Sequence, residues 1–549
     1  MKPVSRPNIL VIMTDEERYP PPYEDEAVAR FRRDKFPARE RLRAQSVEFH
    51  RHYAASTACL PSRASLFTGH YPSLHGVTST DGLAKAANDP GISWLDPDGV
   101  PTMGDWFRAA GYGTHYRGKW HISHADLIPA GSHRGLMAND RAGTVDPEVV
   151  DLYRRADRLD RFGFSGWIGR EPHGPSPADT GFVRDPLFAD QVCGLFSELA
   201  ADHADPRPFL AVASFVNPHD IVFSGLGWDA LGFPAIDAEV PEVGEAPSQA
   251  DGFDGRPDCH RVFRDLWPQL LYPQPADESY RRFYLWLHQL VDRAIERILG
   301  ALDASGLAET TIVVFTSDHG DLVGAHGGMQ QKWYTAFDEA IRVPLLVSGP
   351  GISPSTGGVS APTSHIDLLP TLLGLAGVEP ASLVGRLGEH HIEVRDLVGR
   401  DLSPAMFDPS GASSLEDPVY FTTEDRIDVG LRTRNRFTGE PFTPVAAPAN
   451  IESVIVPLPD GEDGSPRLWK LSQYYDRLEE WEASHPVAPA SPDRPEVVPS
   501  QWELYDLSRD PEERNNLWSS PDAPVDRLRS VLESTREDNR RVPLHRSNR

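Results

Sequence analysis

Four short runs of β-branched and aliphatic residues punctuate the chain: Asn8–Met13, Phe209–Phe215, Thr311–Thr316 and Val343–Ser348. Between them apolar residues recur at helical spacing, as in Asp292–Leu302 and Ile366–Leu375. Continuous apolar runs are what strands buried on both faces present, and their alternation with helices predicts an α/β fold built on a large, mostly parallel sheet sandwiched by helices. Three of the runs end on polar residues: Thr14-Asp15-Glu16, Asn217-Pro218-His219-Asp220 and Ser317-Asp318-His319-Gly320-Asp321. Ligands of open α/β sheets bind beyond the carboxyl ends of the strands, so these segments are expected to converge. Long inserts rich in Gly, Pro and aromatic residues, Thr80–Pro101, His124–Pro186 and Ile221–Pro275, are expected to form the rim of that site.

Beyond Leu402 the pattern shortens to a strand-like Val419–Thr423, a Pro-rich stretch His485–Pro499, the run Trp502–Leu507 and a helix near Val525–Glu537. The expectation is a catalytic domain over 1–405 and a smaller C-terminal α+β domain over 406–549, with a helical, basic tail. No internal repeat is evident.

Composition narrows the function classes. The 549 residues are 39% hydrophobic and 25% charged, ordinary for a soluble globular chain. Lys and Arg number 54 against 81 Asp and Glu, a net charge of −27, which repels nucleic acid and anionic membranes, so neither is expected as a partner. A bound anion must therefore meet a local cluster of positive charge. No apolar run is long enough to span a bilayer. Three cysteines, Cys59, Cys193 and Cys259, are too few and too scattered for a disulfide framework and fit a reducing compartment. The first strand begins at Asn8, leaving no room before it for a signal-peptide core, so a cytoplasmic location is expected. The basic tail, Arg540-Arg541-Val542-Pro543-Leu544-His545-Arg546, could reach an acidic neighbouring subunit, which makes a homo-oligomer possible.

The most informative segment is Ala58-Cys59-Leu60-Pro61-Ser62-Arg63-Ala64-Ser65-Leu66. A lone cysteine is usually a small buried hydrophobe. Here a proline two residues on and an arginine two beyond that place the thiol at a helix start beside a permanent cation, and both favour an anion. Asp15, Glu16, Asp318 and His319, at two strand ends, supply three carboxylates and an imidazole, enough for one divalent cation: Ca²⁺, Mg²⁺ or Mn²⁺. Lys119 and His121 in Arg117-Gly118-Lys119-Trp120-His121, His219, and Lys332 in Gln330-Gln331-Lys332-Trp333 are the basic candidates. Each alone reads as a solvated lysine or a satisfied histidine; collected at one sheet edge they would form a cationic pocket in an acidic protein. His115, His124 and His326 lack such support and read as structural or surface residues.

Cys-x-Pro-x-Arg, continued by Ala64-Ser65-Leu66-Phe67-Thr68-Gly69-His70-Tyr71-Pro72, resembles the signature of type I sulfatases, in which the cysteine is oxidised to formylglycine. The resemblance extends in order through Asn8–Asp15, Gly118-Lys119-Trp120-His121, Ser317–Asp321, Val343-Pro344-Leu345, Ser364–Leu372 and Glu503–Leu507. It implies an alkaline-phosphatase-like fold, a formylglycine derived from Cys59 as nucleophile, and a formylglycine-generating enzyme as maturation partner. It further implies a metal held by Asp15, Glu16, Asp318 and His319 beside the side chain of residue 59. Arg63 would support the site, Lys119 and Lys332 hold sulfate oxygens, His219 protonate the leaving oxygen, and His121 assist release of the second hydroxyl proton. Two positions depart from the pattern. Many sulfatases carry Asp or Gln in place of Glu16, and Asn in place of His319. The second departure is similar to the branch holding choline sulfatases and phosphonate monoester hydrolases. The implied substrate is thus a small sulfate ester, with a phosphonate monoester or phosphodiester as the alternative. An unmodified anion-binding pseudoenzyme is the rival of another class. The organic part of the substrate is left open.

Overall fold

The computed structural model describes residues 5–132, 134–172, 176–202, 207–225, 234–354, 357–407, 417–459, 465–475 and 499–544. Most of the Pro-rich stretch His485–Pro499 and the end of the basic tail lie outside the described residues. Numbered along the chain, the strands are β1 (Asn8–Asp15), β2 (Ser46–Glu48), β3 (His52–Tyr53), β4 (Gly113–Gly118), β5 (Phe209–Pro218), β6 (Thr311–Ser317), β7 (Arg342–Val343), β8 (Leu345–Ser348), β9 (Thr363–Ser364), β10 (Val419–Thr423), β11 (Asn450–Pro459), β12 (Pro466–Tyr475) and β13 (Gln501–Asp506).

Six strands form the main sheet in the order β2-β8-β6-β1-β5-β4. The four central to this argument, β4, β5, β1 and β6, are mutually parallel. The register sets Ile9 of β1 opposite Leu210 on one side and Ile312 on the other. Side chains of β1 alternate between two layers, which explains its unbroken apolar run. Ile9, Val11 and Met13 face a core shared with the helices Cys59–Thr68, Met103–Ala109 and Leu368–Leu375. Leu10 and Ile12 face a second core shared with Gly181–Ala201 and the 27-residue helix Glu278–Ala304. The result is the expected three-layer α/β sandwich.

The run Val343–Ser348 does not behave as one strand. Arg342–Val343 pairs with β3, while Leu345–Ser348 enters the main sheet antiparallel to both β6 and β2. Pro344 stands at the break, where the missing N–H interrupts the ladder. Strand β4, Gly-Thr-His-Tyr-Arg-Gly, looks polar because it lies at the edge; only Thr114, Tyr116 and Gly118 are fully buried. Gly118 has φ +104°, and a Cβ there would lie 1.8 Å from the Ser214 carbonyl oxygen, so no other residue fits. This close approach delivers Lys119, whose N–H bonds Ser214 O at 2.9 Å, to the carboxyl edge of the sheet.

The C-terminal part forms an antiparallel sheet, β10-β11-β12-β13, covered by the helix Val525–Asn539 through Leu528 and Leu532. Its longest hairpin, β11–β12, does not stand out in the sequence because Pro457 and Pro459 read as breakers. They are tolerated because β10 pairs only as far as Ile455, so the prolines lie where β11 has a single neighbour. No described helix is long and apolar enough to cross a membrane.

Phe67 anchors the helix that begins at Cys59: fully buried, its ring lies 5.7, 5.5 and 5.9 Å from those of Tyr116, Trp120 and Phe164. Replacing it, as Phe67→Ala, is expected to cost about 3–5 kcal/mol. Urea unfolding followed by circular dichroism checks this; a loss below about 1 kcal/mol would contradict the packing described.

Candidate active site

Cys59 opens a ten-residue helix in which every side chain is buried. The residue before it, Ala58, offers no side-chain cap. Other segments satisfy the free N–H groups of this end: Leu60 N donates to Thr80 Oγ1 (3.2 Å), and Ala58 N to Asp425 Oδ2 (3.4 Å). One turn on, Arg63 is completely shielded from solvent. Its Nε donates to Asp318 Oδ2 (2.8 Å), Nη2 to Asp15 Oδ2 (2.9 Å), and Nη1 to Lys119 O (2.9 Å) and Ser214 Oγ (3.0 Å). The guanidinium thus ties together the carboxyl ends of β1, β4, β5 and β6, and the convergence expected from the sequence is real.

Around the thiol, one ligand atom each from Asp15, Cys59, Asp318 and His319 lies within 4.8 Å of the others, and all four residues are buried. Cys59 Sγ is 3.1 Å from His319 Nε2 and 3.6 Å from Asp15 Oδ1. His319 Nδ1 sits 3.0 Å from the Gly320 carbonyl oxygen. A carbonyl only accepts, so Nδ1 carries the hydrogen and Nε2 presents its lone pair to the cluster. Asp318 Oδ1 accepts N–H from Glu16 (3.0 Å) and His319 (2.9 Å). Burial works against an ionised Asp15, yet Lys119 and then Arg63 hold its carboxyl well below the ordinary range. Glu16 stands apart from this group and gathers instead with Asp15 and His219. Its Oε2 lies 2.9 Å from Lys332 Nζ, and no hydrogen-bond donor reaches its buried Oε1. Burial pushes Glu16 well above the ordinary carboxyl value although Lys332 opposes it. A buried oxygen with no donor, beside carboxylates and an imidazole lone pair, is a donor set that fits a hard or borderline divalent cation.

The cationic pocket also forms. Lys119 Nζ lies 2.6 Å from Asp15 Oδ2, and Lys332 Nζ 4.6 Å from the centre of the Trp333 ring. Between them the Cys59 thiol is pushed up to about 12 by burial and by Asp15, against the pull of Lys332 and Lys119. His219 is half-buried, and burial together with Lys119 holds it well below the ordinary imidazole value, so it is neutral near pH 7. His121 has φ +54°, and its Nε2 meets Asp81 Oδ1 at 2.7 Å while its backbone N–H donates to Glu171 Oε1 at 2.9 Å. Four of the five metal candidates, Asp15, Cys59, Asp318 and His319, thus form one group, while Glu16 departs from the expected set and adjoins it only through Asp15 and His219. His124 instead lies tilted against Trp94 at 4.5 Å, and His326 stacks on Phe337 at 3.6 Å with Glu339 at 3.0 Å, as structural or surface residues do.

Residues not singled out in the sequence complete the surroundings. Asp81 orients His121, Glu171 fixes the Trp120-His121 backbone, and Asp425 reaches in from beyond β10. Asp185 accepts N–H from Val216 (2.7 Å) and Asn217 (3.1 Å), which shapes the strand end before His219. Asp425 carries a signal that was available: Glu424-Asp425 follows an apolar strand just as Asp15-Glu16 does.

A buried cluster of cations, carboxylates and imidazoles at the carboxyl edge of an α/β sandwich is suited to handling an anion. The comparisons make the class specific: residues 7–378 match the sulfatase family, and the chain belongs to it, as a sulfuric ester hydrolase. An uncharacterized sulfatase of Escherichia coli K12 is 28% identical over 414 residues, 72% of each chain. A choline-sulfatase of Rhizobium meliloti is 27% identical over 387 residues, 68% of each chain. Among solved structures, a 2-O GAG sulfatase superposes with a TM-score of 0.61 at 21% identity, covering 97% of this chain and 92% of its own. The phosphonate monoester hydrolase of Agrobacterium radiobacter gives 0.58 at 20% identity, covering 97% and 96%. These two structures share the fold.

Burial pushes the Asp185 carboxyl up to about 7, against the N–H groups of Val216 and Asn217. The unfolded chain loses this proton near the ordinary value of 3.8, the folded chain only near 7. Stability from this group is therefore full below about pH 4 and falls as pH rises to about 7, by an amount on the order of 4 kcal/mol. The melting temperature of the wild type minus that of Asp185→Asn should fall across pH 4 to 7 and level off above; a flat difference would contradict a retained proton.

Proposed function

We propose that this sulfatase acts through a formylglycine generated from Cys59 by a formylglycine-generating enzyme. Asp15, Glu16, Asp318 and His319 would hold one divalent cation, Ca²⁺ or Mn²⁺ with Mg²⁺ possible, next to residue 59. The observation that carries the reading is the place of Cys59: at the start of a wholly buried helix its Sγ lies 3.1 Å from His319 Nε2 and 3.6 Å from Asp15 Oδ1, in one cluster of possible metal ligands. The hydrated aldehyde would supply a hydroxyl nucleophile and a route to release sulfate by reverting to aldehyde, and the cation would supply Lewis-acid polarisation of the reacting oxygens.

The remaining tasks belong to the chain's own side chains. Arg63 holds Asp15 and Asp318 in place and spans the strand ends. Lys119 and Lys332 neutralise the charge that develops on sulfate oxygens, in a dry site where such contacts are strongest. His219, neutral at rest, would pass the proton lost by the attacking hydroxyl to the leaving oxygen, which departs as the alcohol or phenol. The Asp81–His121 pair accepts the proton of the second hydroxyl. The products are inorganic sulfate and an alcohol or phenol.

One feature favours a second substrate class for the same centre. The imidazole of His319, its lone pair turned into the cluster, stands at the position that resembles the branch holding choline sulfatases and phosphonate monoester hydrolases. Phosphonate monoesters and phosphodiesters are tetrahedral monoanions like sulfate esters, and would compete for the same lysines.

Protein produced together with a formylglycine-generating enzyme should show an aldehyde mass in the tryptic peptide His52–Arg63 and should hydrolyse 4-nitrophenyl sulfate. Cys59→Ser should abolish turnover, and EDTA should remove activity that Mn²⁺ or Ca²⁺ restores. A phosphonate monoester faster than the sulfate ester would favour the second substrate class. A thiol at position 59 under these conditions, with no turnover, would instead leave an anion-binding protein without catalysis.

A further inference from the structure

Asp425 belongs to the C-terminal part of the chain, two residues beyond β10, yet it is buried against the nucleophile helix. A single oxygen, Oδ2, lies within bonding distance of three N–H donors from three separate segments. These are Ala58 N (3.4 Å), immediately before Cys59; Thr80 N (3.1 Å), whose own hydroxyl accepts from Leu60 N; and Trp333 Nε1 (3.0 Å). Trp333 follows Lys332 and carries its ammonium 4.6 Å from the ring centre. The indole is wedged against Trp267 at 5.9 Å and Phe263 at 6.5 Å, so its position is set by packing as well as by Asp425. The second carboxylate oxygen has one cation near it, Lys85 Nζ at 3.8 Å. Neighbouring bonds fix the approach of the strand: Thr423 Oγ1 donates to Thr57 O (2.6 Å) and Thr422 N to Ala55 O (3.1 Å).

We infer that Asp425 is a positioning residue of the sulfatase, bridging the backbone before residue 59 and the indole beside Lys332 so that nucleophile and anion-holding lysine keep one separation. The C-terminal sheet is then part of the catalytic centre. The inference rests on the roles given above to residue 59 and Lys332. Purely structural contacts would stabilise the fold without affecting that separation. A bridge predicts more: loosening either end moves two reacting partners relative to each other, and a displacement near 1 Å costs on the order of 10²-fold in rate.

The test uses the full chain, produced with a formylglycine-generating enzyme, as wild type, Asp425→Asn, Trp333→Phe and the double variant. Each is measured for melting temperature, aldehyde content at position 59, and kcat and KM on 4-nitrophenyl sulfate. Expected are a fall in kcat per aldehyde of about 10- to 100-fold in Asp425→Asn with KM changed less than about threefold. Trp333→Phe should fall in the same sense, and the double variant should be little worse than the lower single, since both cut one bridge. Wild-type kcat per aldehyde in both single variants, or losses that follow melting temperature and aldehyde content alone, would overturn the inference. Should Asp425→Asn not fold, Trp333→Phe decides. A parallel series keeps Cys59 as the thiol and follows the rise in melting temperature caused by inorganic sulfate. A smaller rise in the variants supports the bridge even if the wild type turns over no ester, and an unchanged rise counts against it.

Discussion

A guanidinium with no access to water must find its counter-charges inside the protein, and Arg63 finds them at the ends of two strands far apart in sequence. Burying a charge is tolerable only when it is paired and its donors are satisfied. Arg63 meets both conditions, with Asp15, Asp318, the Lys119 carbonyl and Ser214 taking its N–H groups. Once those four groups are fixed, the carboxyl edge of the sheet has one geometry. Asp15 can then serve Lys119 with the oxygen it shares with Arg63, leaving Oδ1 turned toward Cys59. Asp318 can hold the backbone of Glu16 and His319 with its other oxygen. The helix that begins at Cys59, the cluster of Asp15, Asp318 and His319, and the position of Lys119 are thus arranged around one buried ion-pair network.

Charge balance follows from the same arrangement. Asp15, Glu16 and Asp318 offset Arg63, Lys119 and Lys332, so the fully ionised centre is formally neutral before any cation enters. A divalent cation would leave two positive charges, and an alkoxide-like nucleophile one. A tetrahedral monoanion would then complete neutrality among these buried side chains, whereas a dianion would leave an uncompensated charge. Sulfate esters, phosphonate monoesters and phosphodiesters all meet this condition, which explains why charge alone does not separate them.

How much of this was legible in the sequence depended on whether a residue's role is local. β1 was readable because both faces are buried, and the Cys59 segment because Pro61 and Arg63 are fixed in register with it by the helix itself. β4 was not, since an edge strand with half-exposed His115 and Arg117 lacks the apolar run that marks a central one. The reversal of β8 was hidden because direction is set by the chain's return after Pro344 and leaves no trace in hydropathy. Asp81 escaped for a different reason: it acts on His121, 40 residues away, and only the fold supplies that contact.

The C-terminal sheet is held to the centre by more than Asp425. Tyr71 donates to Tyr420 O at 2.9 Å, and Lys470 of β12 is buried between Asp338 and Glu513, each at 2.7 Å. Asp338 lies a few residues after Lys332 in sequence, on the segment that returns to β8. Moving β12 away would expose a buried ammonium's partners and leave it uncompensated, a cost that surface contacts could not repay. The sheet therefore cannot act as a freely swinging lid.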